Sequence, residues 1–423
     1  MTSMIKKEFD DGARSVVVIG GGAAGMMAAI AASEMGAHVT LLERNNRLGK
    51  KLRITGKGRC NVTNDCDVNT FLANVPSNPR FLYASLSRFG TDDTKAFFET
   101  LGVPLKTERG NRVFPVSDKA GDIVEALHQK CRRCGVEIVY RRALGIVVED
   151  GAVQGVRTSD GVLAADAVIV CTGGKSYPMT GSDGDGYRFA SDAGHTVTAL
   201  YPSLVPLVAQ GKLCASMQGL SLKNVALRIK MAATGKTVYE DFGEMLFTHY
   251  GLTGPLVLSA SAHLSDIRSV KYEAHIDLKP ALDEKTLDLR LRSDFAKYQN
   301  RDFINALDDL LPQKMIEPLV RLSEIDPRKK VNSITREERE RLVRLLKDLT
   351  VTLRDFRPID EAIITRGGVS VREIDPKTMR SKLVDGLYFA GEVIDVDAYT
   401  GGFNLQIAFS TAYVAGQSAA FGE

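Results

Sequence analysis

The feature that most constrains the fold of this chain is a glycine-rich turn between two runs of apolar residues. Residues 15–19 read Ser-Val-Val-Val-Ile, and the turn Gly20-Gly21-Gly22-Ala23-Ala24-Gly25 follows at once. An Ala- and Met-rich stretch to residue 35 then leads to a second apolar run that ends at Glu43. This order predicts a strand, a tight turn, a helix and a second, parallel strand, which together form a Rossmann-type βαβ unit.

The residues of this turn each have a separate expected role in binding a dinucleotide. Gly20 permits the tight turn, Gly22 lets a pyrophosphate approach the backbone, and Gly25 allows the helix to pack closely on the strand. The amides at the helix N-terminus would donate to the phosphates. Glu43, 18 residues after Gly25, would accept hydrogen bonds from the adenosine ribose and would repel a 2′-phosphate, so the site is not expected to hold NADP.

Two later segments indicate FAD rather than NAD, because a flavin must also be held along its ribityl chain and ring. A predicted strand ends at Thr172-Gly173-Gly174, and another is followed by Gly391-Glu392-Val393-Ile394-Asp395. An acidic residue at a strand end can bind ribityl hydroxyls. Gly401 and Gly402 would let the backbone approach the flavin, and Asn404 would cap a last helix whose N-terminus stabilises the reduced, anionic ring.

The middle of the chain is expected to be an insertion into this nucleotide-binding domain. Short alternating segments after residue 195 predict a small antiparallel sheet or barrel, and the charge-rich residues 282–349 have a helical period. We therefore predict an α/β fold: a Rossmann-type FAD-binding domain with an inserted antiparallel barrel-like domain and a small helical domain. The predicted segments are 1–195 (FAD domain, first part), 196–283 (barrel), 284–360 (helices) and 361–423 (FAD domain, second part).

Composition narrows the expected partners and surroundings. With 55 Lys and Arg against 52 Asp and Glu, the net charge of +3 gives no support for nucleic-acid binding. Because no apolar run is long enough for a membrane span and the N-terminus has no signal-peptide pattern, we expect a cytoplasmic protein with a small-molecule substrate. The spacing of Cys60 and Cys66 differs from that of flavin-coupled disulfides, so no such disulfide is expected. Cys131 and Cys134 are not accompanied by a second Cys-x-x-Cys pair in the sequence, so no metal site is predicted.

Longer motifs resemble those of one family of flavoproteins. They lie at residues 49–64, 112–115, 172–178, 244–255 and 386–406. Over nearly its whole length the chain is similar to the FAD-dependent oxidoreductases related to aminoacetone oxidase and bacterial 3-dehydro-bile-acid reductase. It departs from them at Lys57, where the family loop is expected to carry a small residue, usually glycine.

The resemblance and the motifs together imply one composite site for non-covalent FAD. The basic loop from Asn45 to Asn64 would cover the pyrophosphate and reach the flavin ring. The predicted cofactor-binding residues are Gly20, Gly22, Ala23, Ala24, Gly25, Glu43, Arg44, Lys51, Gly58, Arg59, Cys60, Asn61, Ala143, Thr172, Gly173, Gly391, Glu392, Asp395, Gly402, Phe403 and Asn404. The side chains expected to line a substrate pocket between the FAD domain and the insert are Tyr177, His195, His249, Arg366 and Tyr399, and of these Tyr177, His249 and Tyr399 are the catalytic candidates.

Three functions remain open from the sequence. The first, which rests on the resemblance, is reduction of a C=C bond conjugated to a ketone, such as the ring enone of a 3-oxo bile acid, with electrons from NAD(P)H through FAD. The second is amine oxidation with O2, as in aminoacetone oxidases. The third is a flavin-binding regulatory or RNA-associated protein without turnover. Because no second dinucleotide motif is visible, NAD(P)H would have to dock transiently in the substrate cleft.

Overall fold

A computed structural model describes residues 12–423 of the chain and the backbone of Met4–Ile5. Contacts divide the chain into two compact units. The first unit comprises the chain up to Ser203 together with Ile359–Glu423, and the second unit comprises Leu204–Pro358. An insertion within a domain formed by both ends of the chain is therefore the observed organisation.

Most of the strands are short, and most of them belong to the first unit. In chain order they are β1 (Met4–Ile5), β2 (Ser15–Ile19), β3 (His38–Glu43), β4 (Thr63–Asn64), β5 (Leu105–Glu108), β6 (Arg112–Pro115), β7 (Glu137–Tyr140), β8 (Gly145–Glu149), β9 (Ala152–Thr158), β10 (Gly161–Ala164), β11 (Ala167–Val170), β12 (Tyr201–Ser203), β13 (Leu207–Ala209), β14 (Ser221–Met231), β15 (Thr237–Phe247), β16 (Gly251–Thr253), β17 (Tyr272–Asp277), β18 (Leu349–Phe356), β19 (Ile364–Arg366) and β20 (Leu387–Phe389).

Helices occur in both units. The α-helices are α1 (Ala23–Glu34), α2 (Val68–Ala73), α3 (Tyr83–Arg88), α4 (Thr91–Thr100), α5 (Ala120–Arg133), α6 (Asp185–Asp192), α7 (Leu213–Ser216), α8 (Pro255–Ser261), α9 (Glu284–Lys297), α10 (Gln313–Ser323), α11 (Arg336–Lys347) and α12 (Phe403–Phe421). Short 3-10 helices occupy Leu52–Gly58, Pro79–Leu82, Pro178–Thr180, Phe303–Asn305, Val331–Ser333, Ile359–Glu361, Val371–Glu373 and Gly391–Val393. Within the part of the chain that the structure describes, no helix has the length and apolar character that a membrane span requires.

The centre of the first unit is a parallel sheet with the strand order β20-β11-β2-β3-β7. All of its neighbouring strands pair in parallel. Residues 16–19 of β2 and 167–170 of β11 are buried without alternation, as expected for strands covered on both faces. The predicted Rossmann-type domain is therefore confirmed. Two smaller sheets, β1-β10-β9-β8 and β4-β6-β5, and the pair β12-β19 complete this unit.

The second unit contains a closed barrel with the strand order β13-β16-β15-β14-β17-β18, which confirms the predicted barrel-like insert. Helices α9, α10 and α11 contribute buried residues to the same hydrophobic core as the barrel strands. Strand β18 falls within the segment predicted to be helical, and that part of the prediction is wrong. Leu349, Val351 and Leu353 are buried at the period of two that is typical of a strand with one covered face. Strand β18 pairs with both β13 and β17 and so closes the barrel.

Candidate functional site

Five segments of the predicted site meet at one edge of the parallel sheet, because the carboxyl ends of parallel strands point the same way. Strand β2 has β3 on one side and β11 on its other side, so the chain connections lead away from β2 in opposite directions. Such a topological switch point is where open α/β sheets bind ligands. The segments that follow the strands are Gly20–Gly25 after β2, Arg44 after β3, Ala143 after β7, Thr172–Gly173 after β11 and Gly391–Asp395 after β20.

Two glycines of the first turn are required for close packing, and a third borders open space. A Cβ at Gly20 would lie 2.6 Å from the Cys171 carbonyl oxygen, and one at Gly25 would lie 1.7 Å from that of Gly20. At Gly22 a Cβ would meet no atom within 4 Å. Gly22 is also the N-cap of α1, where no side chain caps the helix and the first turn carries no acidic residue. The turn thus leaves room and positive helix dipole for a phosphate.

The buried carboxylate of Glu43 fastens this turn to the end of β3. It accepts hydrogen bonds from the Gly21 N–H at 2.8 Å and from the backbone N–H and side-chain amide of Asn45, both at 2.7 Å. Each carboxylate oxygen has two lone pairs, so the Oε2 atom that binds Gly21 can also accept from a ribose hydroxyl. Glu43 fits the role predicted for it and also holds the turn in place.

Charged side chains surround the predicted adenosine end of the site. Arg44 forms an ion pair with Asp183 and lies 3.7 Å from Asp185. Arg142, the neighbour of buried Ala143, contacts the same two carboxylates at 3.2 and 2.7 Å. This cluster ties the segments after β3, β7 and β11 to one another.

An ion pair joins the basic loop to the predicted ribityl segment. Lys51 Nζ lies 2.8 Å from Glu392 Oε2 and donates to Ser176 Oγ at 2.7 Å. Glu392 Oε1 accepts from the Thr365 N–H at 2.9 Å and from Ser176 at 3.2 Å. Lys51 and Glu392 are therefore held in fixed orientation beside each other.

The backbone of this loop is left-handed at several positions. Gly56, Lys57 and Gly58 have φ values of +56°, +58° and +83°, and Cys60 has +60°. This conformation explains why glycine is expected at position 57, since a side chain there costs roughly 1–2 kcal/mol. Cys60 and Cys66 are free thiols, and burial raises the pKa of Cys60 to about 12 and that of Cys66 to about 11.

Two polar atoms within the predicted cofactor set find no partner among the described residues. They are the buried Oδ1 of Asn61 and the buried Oγ1 of Thr172. Buried polar atoms are almost always hydrogen-bonded, and a bound ligand commonly supplies the missing partner. Together with the open space at Gly22, these two atoms show that the site fits a dinucleotide.

Arg59 has partners of its own. Its guanidinium binds Glu108 and Asp118 and lies 4.1 Å from the centroid of the Phe114 ring. These contacts anchor the loop to β5 and to the residues before α5. Arg59 therefore anchors the loop through its ion pairs, and Lys51 is the basic residue that lies next to Glu392.

The start of α12 differs from the sequence prediction in the residue that caps the helix. Gly402, with φ +100°, is the N-cap, and Asn404 is not, because its side chain bonds backwards to the backbone of Ala398 at 3.0 and 2.7 Å. A Cβ at Gly402 would lie 2.3 Å from the Thr63 carbonyl oxygen, so the glycine is required for packing against β4. Its predicted approach to the flavin ring stays a prediction. Phe403 is buried and packs edge-to-face on Phe71.

One residue that the sequence did not single out joins α12 to the basic loop of residues 45–64. Gln406 is fully buried, accepts from Thr63 Oγ1 at 2.6 Å and donates to the Gly90 carbonyl oxygen at 3.0 Å. The Gln406 side chain also donates to Ser410 Oγ at 3.0 Å. The available signal was a glutamine among the mainly apolar residues of the first two turns of this helix.

Residues 14–418 match the family described as the HI0933-like protein Rossmann domain. The chain belongs to this family. It is 34% identical over 414 residues to the 3-dehydro-bile acid delta(4,6)-reductase of Clostridium scindens, across 95% of this chain and 98% of that protein. It is 30% identical over 402 residues to the ribosomal RNA dihydrouridine synthase of Escherichia coli, across 95% and 96% of the two proteins.

A solved structure shares the fold. The 3-ketosteroid delta1-dehydrogenase of Sterolibacterium denitrificans superposes with a TM-score of 0.50 at 13% identity, over 97% of this chain and 100% of that one. Membership of the HI0933-like family confirms the resemblance stated above and makes the chain an FAD-dependent oxidoreductase.

The structure places the three catalytic candidates of this HI0933-like protein in different surroundings. Tyr177 is partly exposed, with a left-handed backbone (φ +52°), and its N–H donates to the Asp360 carbonyl oxygen. The N–H of Tyr399 donates to the Asn74 carbonyl oxygen at 3.0 Å. His249 belongs to the second unit, where its ring packs edge-to-face on a neighbouring tyrosine. Their catalytic roles stay predictions.

His195, which was expected to line a pocket, is instead part of the core. Its Nδ1 lies 3.2 Å from Glu373 and its Nε2 lies 2.8 Å from Ser381 Oγ. Ser381 Oγ also accepts from two backbone N–H groups, of Leu383 and Val384. Because the imidazole is buried, it serves to hold these segments together.

A polar pocket of ≈ 470 Å³ lies within the first unit and includes two residues singled out in the sequence, Arg366 and Asp395. It is lined by Pro76, Ser77, Asn78, Thr198, Ala199, Tyr201, Arg366, Gly367 and Asp395. Burial raises the pKa of Asp395. Burial likewise raises the pKa of Asp397, whose Oδ1 has no partner among the described residues.

Proposed function

We propose that this protein reduces a C=C bond conjugated to a carbonyl group, with electrons that pass from NAD(P)H through FAD. The observation that carries the proposal is the pair of full-length relatives with different substrates. By their names, one saturates C=C bonds of a 3-oxo bile acid and the other saturates the ring C=C bond of uridine. Both bonds are conjugated to a carbonyl, so a shared reaction on different substrates supports a common chemistry for this chain.

The site at the sheet edge supplies what this reaction needs from the protein. The turn that contains Gly22 would hold the pyrophosphate, Glu43 the adenosine ribose, and Glu392 the ribityl hydroxyls, with Lys51 fixing the orientation of Glu392. Bound FAD supplies hydride transfer to and from carbon. The protein then has to orient the conjugated system, stabilise charge on its carbonyl oxygen and admit one proton.

The substrate and the electron donor are the finer parts of this proposal. A ring enone of the 3-oxo steroid or bile-acid type follows from the bacterial reductase, and a pyrimidine ring follows from the dihydrouridine synthase. NAD(P)H is the proposed donor, and it would bind transiently because the sequence carries a single dinucleotide motif.

Anaerobic half-reactions test the proposal. The purified flavoprotein is mixed with NADH or NADPH, and bleaching of the flavin absorbance is followed before a second reagent is added. We expect 4-androstene-3,17-dione or uridine-containing ribosomal RNA to restore the oxidised flavin, and the product to contain two additional hydrogens. Bleaching by aminoacetone with rapid reoxidation by O2, and none by the nicotinamides, would instead identify an amine oxidase.

A further inference from the structure

We infer that the polar pocket of the first unit binds the carbonyl end of the substrate, with Arg366 as donor to the carbonyl oxygen and Asp395 as partner of an adjacent ring N–H. The class of substrate that fits is a compact cyclic amide or imide with a conjugated C=C bond. This inference rests on the proposed function. It assigns substrate-binding roles to two side chains, of which Asp395 was predicted from the sequence to bind the cofactor. It also selects between the two kinds of substrate considered above.

The pocket adjoins the segment predicted to hold the ribityl chain. Arg366 follows Thr365, whose N–H donates to Glu392 Oε1 at 2.9 Å. Asp395 is three residues from Glu392, and three residues span at most about 11 Å. The Asp395 N–H donates to the Val369 carbonyl oxygen at 3.0 Å, which ties the two segments together. A ring bound at Arg366 is therefore next to the predicted flavin segment.

The position of Arg366 is fixed by close backbone packing. A Cβ at Gly367 would lie 2.2 Å from the Ala199 carbonyl oxygen, and one at Gly368 would lie 2.6 Å from that of Val393. Arg366 is also the register partner of Tyr201 in the β12-β19 pair, and its guanidinium carbon lies 5.0 Å from the centroid of the Tyr201 ring. A guanidinium stacked on an aromatic ring is a planar, permanently charged donor.

The other polar groups of the pocket complement a ring that both accepts and donates. The Asn78 side chain donates to the Asp395 carbonyl oxygen at 2.6 Å and so positions that residue. A carboxylate accepts hydrogen bonds from N–H groups, whereas a guanidinium only donates. A carbonyl next to a ring N–H matches this pair, and a ketone without a neighbouring donor satisfies only Arg366.

The walls of the pocket are unsuited to a steroid body. Pockets for large apolar ligands are lined mainly by hydrophobic and aromatic side chains. Among the described residues, the lining contains no Leu, Ile, Val, Phe or Met, and Tyr201 is its one aromatic residue. The pocket therefore favours a small polar ring over four fused hydrocarbon rings.

The proposed reduction balances in atoms and electrons when NAD(P)H is the electron donor. Bound FAD, reduced by NAD(P)H, would supply a hydride to the β-carbon. The π electrons of the C=C bond would shift to the carbonyl group, so that an enolate forms on its oxygen. Arg366 stabilises that negative charge, as donors aimed at a developing oxyanion do. The α-carbon then takes a proton from solvent, and the carbonyl is restored. The net change is the addition of two hydrogens across the C=C bond.

Ligand binding to the oxidised holoprotein, which cannot turn over, tests the inference by calorimetry with uridine and with 4-androstene-3,17-dione. We expect wild type to bind uridine more tightly than the steroid. Arg366→Gln is expected to weaken uridine binding about 10–100-fold, as loss of a charged hydrogen bond predicts. Arg366→Lys should weaken it less, and Asp395→Asn should also weaken it. The matched control Arg380→Gln, which removes an arginine paired with Asp385 elsewhere in the first unit, should leave binding unchanged.

The outcomes separate this inference from the proposed function. Tighter steroid than uridine binding, or Arg366 variants with full FAD content and wild-type affinity for uridine, would overturn the inference. If Arg366→Gln loses FAD or unfolds, the inference is tested with Arg366→Lys and Asp395→Asn instead. Wild-type affinity for uridine in both of these variants would also overturn the inference. A wild-type protein whose reduced flavin is reoxidised by no conjugated carbonyl compound contradicts the proposed function instead, whatever the variants bind.

Discussion

At the scale of single residues, the carboxylate of Glu43 joins the glycine turn to β3 through Gly21 and Asn45 while keeping a lone pair for a ligand. The sequence predicted this residue because the spacing from the glycines is set by the length of one helix and one strand. It did not predict the bonds to Asn45, which depend on how the chain turns after the strand.

The first prediction concerns Glu43→Gln. The amide keeps the size of the side chain but removes the negative charge, so charge-assisted bonds to the ribose become weaker. We expect FAD to bind roughly 10–100-fold more weakly, which corresponds to about 1.5–3 kcal/mol. Titration of the apoprotein with FAD, followed by quenching of flavin fluorescence, measures this. Glu149→Gln, at an exposed strand end, is the control, and equal affinity in both variants would mean that the ribose lies elsewhere.

The second prediction uses the unpartnered hydroxyl of Thr172. If FAD supplies its missing partner, Thr172→Val should lower FAD affinity about fivefold, the equivalent of one neutral hydrogen bond. The apoprotein should be no less stable, because no bond is lost there. Thr94→Val in α4 is a matched control, since its buried hydroxyl also lacks a partner among the described residues. Wild-type FAD affinity in Thr172→Val would show that the ligand does not contact this group.

At the scale of elements, the parallel strands and α1 follow directly from the apolar runs and the glycine turn, and the sequence predicted them. The capping of α12 was not predictable in the same way. Asn404 has the side chain of a typical N-cap, yet the tight packing of Gly402 on Thr63 places the cap two residues earlier. Strand β18 was missed because the charged helix before it extended the helical pattern.

The third prediction compares two glycines with positive φ. Gly402→Ala adds backbone strain and a collision with the Thr63 carbonyl oxygen, whereas Gly36→Ala at φ +89° adds strain alone, with nothing within 4 Å of its Cβ. Strain costs roughly 1–2 kcal/mol. We expect Gly402→Ala to lower the urea midpoint clearly more than Gly36→Ala and to lose FAD. Similar midpoints would mean that β4 can move away from α12 at little cost.

The fourth prediction concerns the pH dependence of stability. Burial lowers the pKa of His195 below its usual 6.5, although Glu373 opposes this shift. The folded state therefore favours the neutral imidazole, and its contribution is complete above pH 6.5 and is lost as pH falls from there toward the lowered pKa. Thermal unfolding midpoints between pH 5 and 8 should fall at the acidic end in wild type and fall less in His195→Gln. Parallel curves would contradict a neutral, buried His195.

At the scale of the whole molecule, the sequence predicted a nucleotide-binding domain interrupted by a barrel and helices, and most of the segments of the sheet edge. The polar pocket could not be predicted as a unit. Its lining comes from residues 76–78, 198, 199, 201, 366–367 and 395, which are far apart in the chain and share no local pattern. Only the three-dimensional pairing of β12 with β19 brings Tyr201 and Arg366 together.

The most direct test of the proposed chemistry reduces the flavin with a chemical reagent, so that the result does not depend on which nicotinamide is the natural electron donor. The holoprotein is reduced with dithionite under argon, and one equivalent of uridine-containing ribosomal RNA or 4-androstene-3,17-dione is added. We predict that the absorbance of oxidised FAD returns and that mass spectrometry finds one equivalent of product with two added hydrogens. Flavin that stays reduced with both compounds, and is reoxidised only when air is admitted, would contradict reduction of a conjugated C=C bond.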